Sequence, residues 1–194
     1  MVQLGHFVYL GSRDLSLGQQ AVDKLHELGL ITTTTIQIDV TNLKTIVEAR
    51  KTIETKYNHL DILINNAGIL GTMPQPAATV SVDEIRRIFD TNFFGTIQVT
   101  QEFLPLLQKA KTGRIVNVTS DISSLTLHND PSWKYYPFKS TGYGVSKTAL
   151  NGYTIMLAFG LKGTNIKVNA VNPGYTATDF TNYRGDKKPD QAVE

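Results

Sequence analysis

The sequence contains no cysteine, only four histidines and no long hydrophobic run. Without cysteine, the chain has no disulfide bond and no cysteine-ligated zinc or iron–sulfur site. It holds neither the Gly-x-Ser-x-Gly turn of many hydrolases nor a His-Glu-x-x-His zinc motif, which argues against a hydrolase and against a metal site. The most apolar stretch, residues 153–161, is interrupted by Thr154 and Gly160 and is about half as long as a membrane span. We therefore expect no membrane-spanning segment.

The net charge and the length of the chain indicate which kind of partner it binds and how many domains it forms. The chain has 19 Lys and Arg against 17 Asp and Glu, a net charge of +2, and no basic run. A nucleic-acid-binding protein would carry a basic patch, so we expect a small-molecule partner. The N-terminus lacks the basic and apolar segments of a secretory signal, and we expect a cytoplasmic protein. At about 150 residues per domain, 194 residues predict a single domain.

Two periodicities alternate along the chain. Short apolar or β-branched runs predict strands over residues 6–10, 34–40, 60–67, 114–119 and 166–171. Apolar residues at helical spacing predict helices over 45–57, 82–109 and 143–161, and a first helix that begins at Asp14 or Ser16 and ends at Gly29. Strands that alternate with helices and are apolar throughout favour an α/β fold with a doubly wound parallel sheet. Such sheets bind ligands beyond the carboxyl ends of their strands.

Polar and small residues follow the first three predicted strands. Ser12 and Arg13 come after the first; a cation there suits a 2′-phosphate on the adenosine ribose, although it is equally a solvated arginine before a helix. Asp39 and Val40 close the second strand, and Asn-Asn-Ala-Gly at 65–68 closes the third. Small residues at such positions let a ring or phosphate approach the backbone, although a plain turn uses them as well.

Tyr143 and Lys147 are four residues apart in a predicted helix and so share one of its faces. An ammonium beside a phenol favours the phenolate and lowers its pKa, which makes tyrosine usable as a general acid or base. A tyrosine and a lysine at this spacing also occur by chance in many helices. Two further residues strengthen the functional interpretation. Ser120 follows the strand 114–119, and Asn92 lies in an apolar stretch, where its side-chain amide must find hydrogen-bond partners.

This ordered set of motifs resembles the short-chain dehydrogenase/reductase family from residue 1 to about residue 185. The resemblance implies that Tyr143 exchanges a proton with the substrate oxygen, which Ser120 holds. It also implies that Lys147 binds the nicotinamide ribose and lowers the pKa of Tyr143, and that Asn92 supports a water chain to Lys147. The long interval 121–142 resembles the carbonyl reductase branch, which implies aldehyde or ketone reduction and leaves open whether the protein is a monomer or a homo-oligomer.

The resemblance also implies a nicotinamide cofactor, with NADP(H) preferred over NAD(H) because of Ser12 and Arg13. Asp39 would contact the adenine amino group. The remaining cofactor-binding residues implied by the family are Val40, Asn66, Ala67, Gly68, the turn Pro173 and Gly174, Thr176 through its backbone and Thr178 through its hydroxyl.

The family pattern is incomplete in this sequence. The strand, the Thr-Gly-x-x-x-Gly-x-Gly turn and the helix with which the family begins are missing, and that turn supplies backbone N–H groups to the pyrophosphate. We therefore expect residues 1–194 to be a single truncated domain, in which the strands at 6–10 and 60–67 flank a vacancy. A second hypothesis is a catalytically silent fragment that acts as an interaction module through its open sheet edges.

Overall fold

The computed structural model describes residues 1–192; Val193 and Glu194, the last residues of the predicted domain, lie outside the described residues. The chain divides into two compact units, residues 1–58 and the chain from His59 onward. Each unit contains parallel strands connected by helices. The predicted α/β class with parallel sheets is therefore confirmed.

The first unit has two parallel strands and two helices: β1 (Val8–Ser12), α1 (Leu15–Glu27), β2 (Thr33–Gln37) and α2 (Leu43–Tyr57). β1 begins two residues later than predicted, because the ladder with β2 starts only where the Val8 N–H donates to the Thr32 carbonyl at 2.9 Å. α1 begins at the predicted cap, since the Asp14 carboxylate accepts from the Leu17 N–H at 3.1 Å. Gly29 follows the helix with a φ of +77°, as its position predicts.

The second unit contains β3 (Ile62–Asn65), α3 (Val82–Phe89), α4 (Gly95–Lys109), β4 (Gly113–Val118), α5 (Thr141–Gly160) and β5 (Ile166–Val171). The strands are parallel in the order β3-β4-β5, so their carboxyl ends lie at one edge with β4 in the centre. β5 has the predicted bounds. α5 begins two residues earlier than predicted, because Ser140 caps it by accepting from the Gly144 N–H at 3.2 Å.

The predicted long helix over 82–109 is interrupted. A π-helical segment, Asp90–Phe94, joins α3 to α4. Such segments are rare and occur often at functional sites. Asn92 lies in this segment and is fully buried, so the altered winding places a polar side chain inside the second unit.

The core of the second unit forms where α4 packs on β3 and β4, and α5 packs on β5. Leu107, Ile115 and Ile166 are its buried centre, with Leu63 and Leu157 packed against them. Burying side chains of this size stabilises the fold by about 1.5–3 kcal/mol each. This apolar layer fixes the edge of the sheet from which the polar loops project.

The strands of the described residues form two sheets, a pair in the first unit and three strands in the second. Among these residues, none of the helices combines the length and the apolar composition required to cross a bilayer.

Candidate active site

Tyr143 and Lys147 lie on one face of the first turns of α5, as their spacing predicts. Their side chains are only 8% and 5% exposed. The Lys147 Nζ is 6.0 Å from the centre of the Tyr143 ring and donates to the carbonyl oxygen of Val118, the last residue of β4, at 2.8 Å. The pair is thus held at the carboxyl end of the central strand.

Ser120 reaches the same place from β4. It lies two residues beyond the strand and caps a short 3-10 turn, Asp121–Ser123, by accepting from the Ile122 N–H at 3.4 Å. Its side chain lies close enough to the Tyr143 phenol to lower the pKa of that group. The structure therefore brings together the three residues whose spacing and order in the sequence suggested a common site.

The electrostatics of the pair differ from the sequence-based expectation. Burial raises the pKa of Tyr143, and the Ser120 side chain opposes that rise. Burial also lowers the pKa of Lys147 to about 8. The pKa of Tyr143 thus rises where the spacing alone predicts a fall. Lys147 is not among the groups that shift this pKa, so its predicted role in lowering it stays a prediction.

Asn92 connects the π-helical segment to the loop that follows β3. Its amide Nδ2 donates to the Ile69 carbonyl and to the Ser146 hydroxyl, both at 3.0 Å, and its Oδ1 accepts from the Ile69 N–H at 2.8 Å. Ser146 lies on α5 between Tyr143 and Lys147. The buried amide thus finds the partners that its apolar surroundings require, and it binds the loop to the helix that carries Tyr143.

The loop after β3 passes directly beside Lys147. A Cβ at Gly68 would lie 3.3 Å from Asn92 Oδ1 and 3.6 Å from Lys147 Nζ. The preceding Asn66 and Ala67 are exposed. The loop therefore presents open backbone and small side chains next to the buried ammonium, which is the surface that a flat ring or a ribose needs.

The loop after β5 contacts Tyr143; it follows the strand that lies on the other side of β4 from β3. The Phe180 ring lies 5.7 Å from the Tyr143 ring. Gly174 adopts a φ of +76°, and the Thr176 hydroxyl donates to the Pro173 and Gly174 carbonyls at 3.3 Å. The described contacts place this loop at the site without testing the predicted roles of Thr176 and Thr178.

The other predicted cofactor residues lie in the first unit. The Ser12 hydroxyl donates to the Asp14 carbonyl at 2.7 Å, and Arg13 is exposed. The pKa of Asp39 is lowered, first by the hydrogen bonds from Thr41 and further by the Arg13 guanidinium. Arg13 and Asp39 are therefore electrostatically coupled within this unit, next to the half-buried Val40.

Two tertiary contacts of the second unit are not predicted by the sequence pattern. Gln75 is fully buried and bonds to the start of α5, 67 and 68 residues away along the chain. The Tyr135 hydroxyl, in the interval 121–142, donates to the Asp186 carboxylate at 2.8 Å, and Lys134 pairs with the same carboxylate. No local pattern predicts contacts between such distant residues; the one local signal at Gln75 is its position between two prolines.

Parallel strands, helices packed on the sheet and polar residues grouped where the strands end are typical of a Rossmann-like α/β fold. The chain belongs to the short-chain dehydrogenase family, because the sequence model of that family matches residues 1–189.

Relatives of known name place the chain in the carbonyl reductase-like branch. It is 34% identical to the short-chain dehydrogenase anuI of Penicillium roqueforti over 188 residues, which is 95% of this chain and 74% of that protein. It is 30% identical to carbonyl reductase (NADPH) 1 of Homo sapiens, over 96% of this chain and 78% of the human protein. The structure of salutaridine reductase from Papaver somniferum superposes with a TM-score of 0.84 at 24% identity, covering 99% and 86% of the two chains. At that identity the superposition shows the shared fold alone.

Proposed function

We propose that the protein is an NADP(H)-dependent oxidoreductase that reduces a small-molecule aldehyde or ketone to an alcohol, or catalyses the reverse reaction, with Tyr143 as general acid and base. The observation that carries this proposal is the position of the Ser120 side chain beside the buried Tyr143 phenol. Lys147 adds an ammonium on the same face of the helix as Tyr143. Two hydroxyl groups at one point can bind a carbonyl oxygen, and one of them can transfer a proton to it.

The protonation states suit this chemistry. Since burial raises the pKa of Tyr143, the phenol is protonated at neutral pH and can donate to an oxygen that becomes an alkoxide. Ser120 would hold that oxygen. Lys147, with a pKa of about 8, is mainly an ammonium at neutral pH and would bind ribose hydroxyls and stabilise the phenolate left after proton transfer. We assign Asn92 the support of a water chain to Lys147.

The residues of the second unit fit the nicotinamide half of a dinucleotide. A Cβ at Gly68 would fill the space within 3.6 Å of Lys147 Nζ, so glycine leaves that approach to a ligand. Asn66 and Ala67 extend the same surface, while Thr176 and Thr178 would hold the carboxamide. When bound, the nicotinamide supplies or accepts the hydride.

We assign the adenosine contacts to Ser12, Arg13, Asp39 and Val40 in the first unit. Arg13 supports NADP(H) over NAD(H), because an exposed guanidinium can form two charge-assisted hydrogen bonds with a 2′-phosphate. The name of the human relative, which specifies NADPH, supports the same choice. The printed sequence contains no Gly-x-Gly-x-x-Gly turn, and we assign no residue to the pyrophosphate.

The test is NADPH oxidation with a panel of aldehydes and ketones. Tyr143→Phe should reduce turnover by about 10²–10⁴-fold, the usual contribution of a general acid or base. Tyr153→Phe is the matched control, since Tyr153 is a partly buried phenol on the same helix whose pKa burial also raises. It should retain turnover. Equal activity of both variants, or a folded wild-type chain that neither binds nor oxidises NADPH, would contradict the proposal.

A further inference from the structure

Gln75 is the most completely bonded side chain near the site. It lies in the loop before α3 and is 0% exposed. Its Oε1 accepts from the backbone N–H groups of Gly142 and Tyr143, both at 3.0 Å. Its Nε2 donates to the carbonyl oxygens of Leu70 at 2.8 Å and Thr72 at 3.3 Å. Every hydrogen-bonding position of the amide is therefore used.

The oxygen side of Gln75 holds the first turn of α5. The first N–H groups of a helix have no partner within the helix, and here Gln75 supplies partners from outside it. The Gln75 backbone carbonyl also accepts from Thr141, from its N–H at 3.2 Å and its hydroxyl at 2.9 Å. The backbone N–H groups of the first three residues of α5 thus all donate to Gln75, and the third of these residues is Tyr143.

The nitrogen side of Gln75 holds the loop that follows β3. That loop contains Asn66, Ala67 and Gly68, and it is fixed at Ile69 by Asn92. Gln75 fixes it again at Leu70 and Thr72. A single planar amide therefore connects the loop beside Lys147 to the backbone of Tyr143.

Two glycines leave the space that this arrangement requires. A Cβ at Gly71 would lie 2.9 Å from Gln75 Nε2, and one at Gly142 would lie 3.2 Å from Gln75 Oε1. Both would also lie within 2.5 Å of the Ile88 Cδ1. The amide is thus confined by the packing around it as well as by its hydrogen bonds.

We propose that Gln75 is a positioning residue, whose side-chain amide sets the Tyr143 backbone against the cofactor-facing loop 66–72. This inference rests on the function proposed for Tyr143. The two ends of the amide have separable effects: the oxygen acts on the proton-transfer step through Tyr143, and the nitrogen acts on cofactor binding through the loop.

Three variants separate positioning from simple stabilisation. Gln75→Met has a similar length and loses both ends of the amide. Gln75→Glu keeps oxygens that accept from the helix N–H groups, where negative charge is favourable, but its carboxylate faces the Leu70 and Thr72 carbonyls. Thr154→Val is the control, because it removes a buried hydroxyl that accepts from Asn117 at 2.8 Å, farther along the same helix.

Kinetic constants are measured with NADPH and normalised to the folded fraction. Gln75→Met should lower kcat about tenfold or more, since a 1 Å misplacement of a reacting group can cost about 10²-fold. Gln75→Glu should keep kcat close to the wild-type value and raise the KM for NADPH, and Thr154→Val should change neither constant. An unchanged kcat in folded Gln75→Met, or a Gln75→Glu variant that loses kcat without a change in the NADPH KM, would overturn the proposal.

Amide hydrogen exchange tests the same contacts without turnover. The Gly142 and Tyr143 amides should exchange slowly in the wild type and in Gln75→Glu. They should exchange faster in Gln75→Met, whereas Thr154→Val should leave them protected. Rapid exchange of both amides in the wild type would overturn the inference. A wild type that shows slow exchange but no NADPH-dependent turnover would instead contradict the proposed function, and the exchange data would still decide whether Gln75 holds the turn.

Discussion

Replacing Lys147 with Met should change the free energy of unfolding in a way that depends on pH. The difference between variant and wild type should favour the variant more at neutral pH than at alkaline pH. Burial lowers the pKa of this lysine from 10.5 to about 8, and its side chain is only 5% exposed. At 1.36 kcal/mol per pH unit, the buried ammonium destabilises the folded state by about 3 kcal/mol. Lys147→Met removes this cost, but it also leaves the Val118 carbonyl without its partner, a loss of about 1–3 kcal/mol.

The dependence on pH isolates the first effect from the second. Below about pH 8 the ammonium is charged in both states, and its burial cost is complete. As the pH rises from about 8 to 10.5, the folded protein releases its proton before the unfolded chain does, so wild-type stability rises. Relative to Lys147→Met, the wild type should gain about 2 kcal/mol in free energy of unfolding between pH 7 and pH 9.5.

Urea unfolding of both proteins at the two pH values measures this gain. Comparison with Lys147→Met cancels the titration of groups that the two proteins share. Lys162→Met serves as the control, because it removes the same charge from an exposed position. If the free energies of unfolding of the wild type and Lys147→Met change in parallel with pH, the ammonium carries no burial cost and the reasoning is refuted.

Three further predictions concern catalysis. Because burial raises the pKa of Tyr143, kcat for carbonyl reduction should stay constant across neutral pH while kcat for alcohol oxidation rises with pH; a reduction rate that falls near neutrality in pH–rate profiles would contradict this. Arg13→Ala should lower the ratio of NADPH to NADH efficiency by about tenfold or more, the value of a charge-assisted contact, and an unchanged ratio of kcat/KM values would exclude a phosphate contact. Asp186→Ala removes the partner of Tyr135 and Lys134. If the interval 121–142 borders the substrate site, as in the carbonyl reductase branch that it resembles, the variant should raise the substrate KM with little change in kcat, and an unaltered KM would separate this contact from substrate binding.

Most of the fold could be predicted because its signals are local. A periodic apolar face, a cap such as Asp14 and a glycine such as Gly29 each act within a few residues, and the bounds of β5 agree with the prediction. α5 starts two residues before its predicted bound, although Ser140 is a recognisable cap. The π-helical segment at Asp90–Phe94 cannot be predicted in this way, because its apolar pattern resembles that of the helices on either side.

The membership of the candidate site could also be predicted, whereas its supporting contacts could not. Ser120, Tyr143 and Lys147 are recognisable by their order and by where the strands end. Gln75 is not, because its role depends on backbone groups 67 and 68 residues away. Such a contact exists only after the chain has folded, and neither periodicity nor residue type encodes it.

The electrostatics of the site show a related limit of reasoning from spacing. The four-residue interval between Tyr143 and Lys147 predicts their proximity, and proximity alone would favour a phenolate beside an ammonium. Burial shifts the two pKa values in opposite directions: it raises the pKa of the phenol and lowers that of the ammonium. Both shifts favour the uncharged forms, because loss of hydration disfavours charge of either sign. Under the proposed function, the neutral Tyr143 phenol would donate the proton in carbonyl reduction, and alcohol oxidation would need a higher pH to form the phenolate.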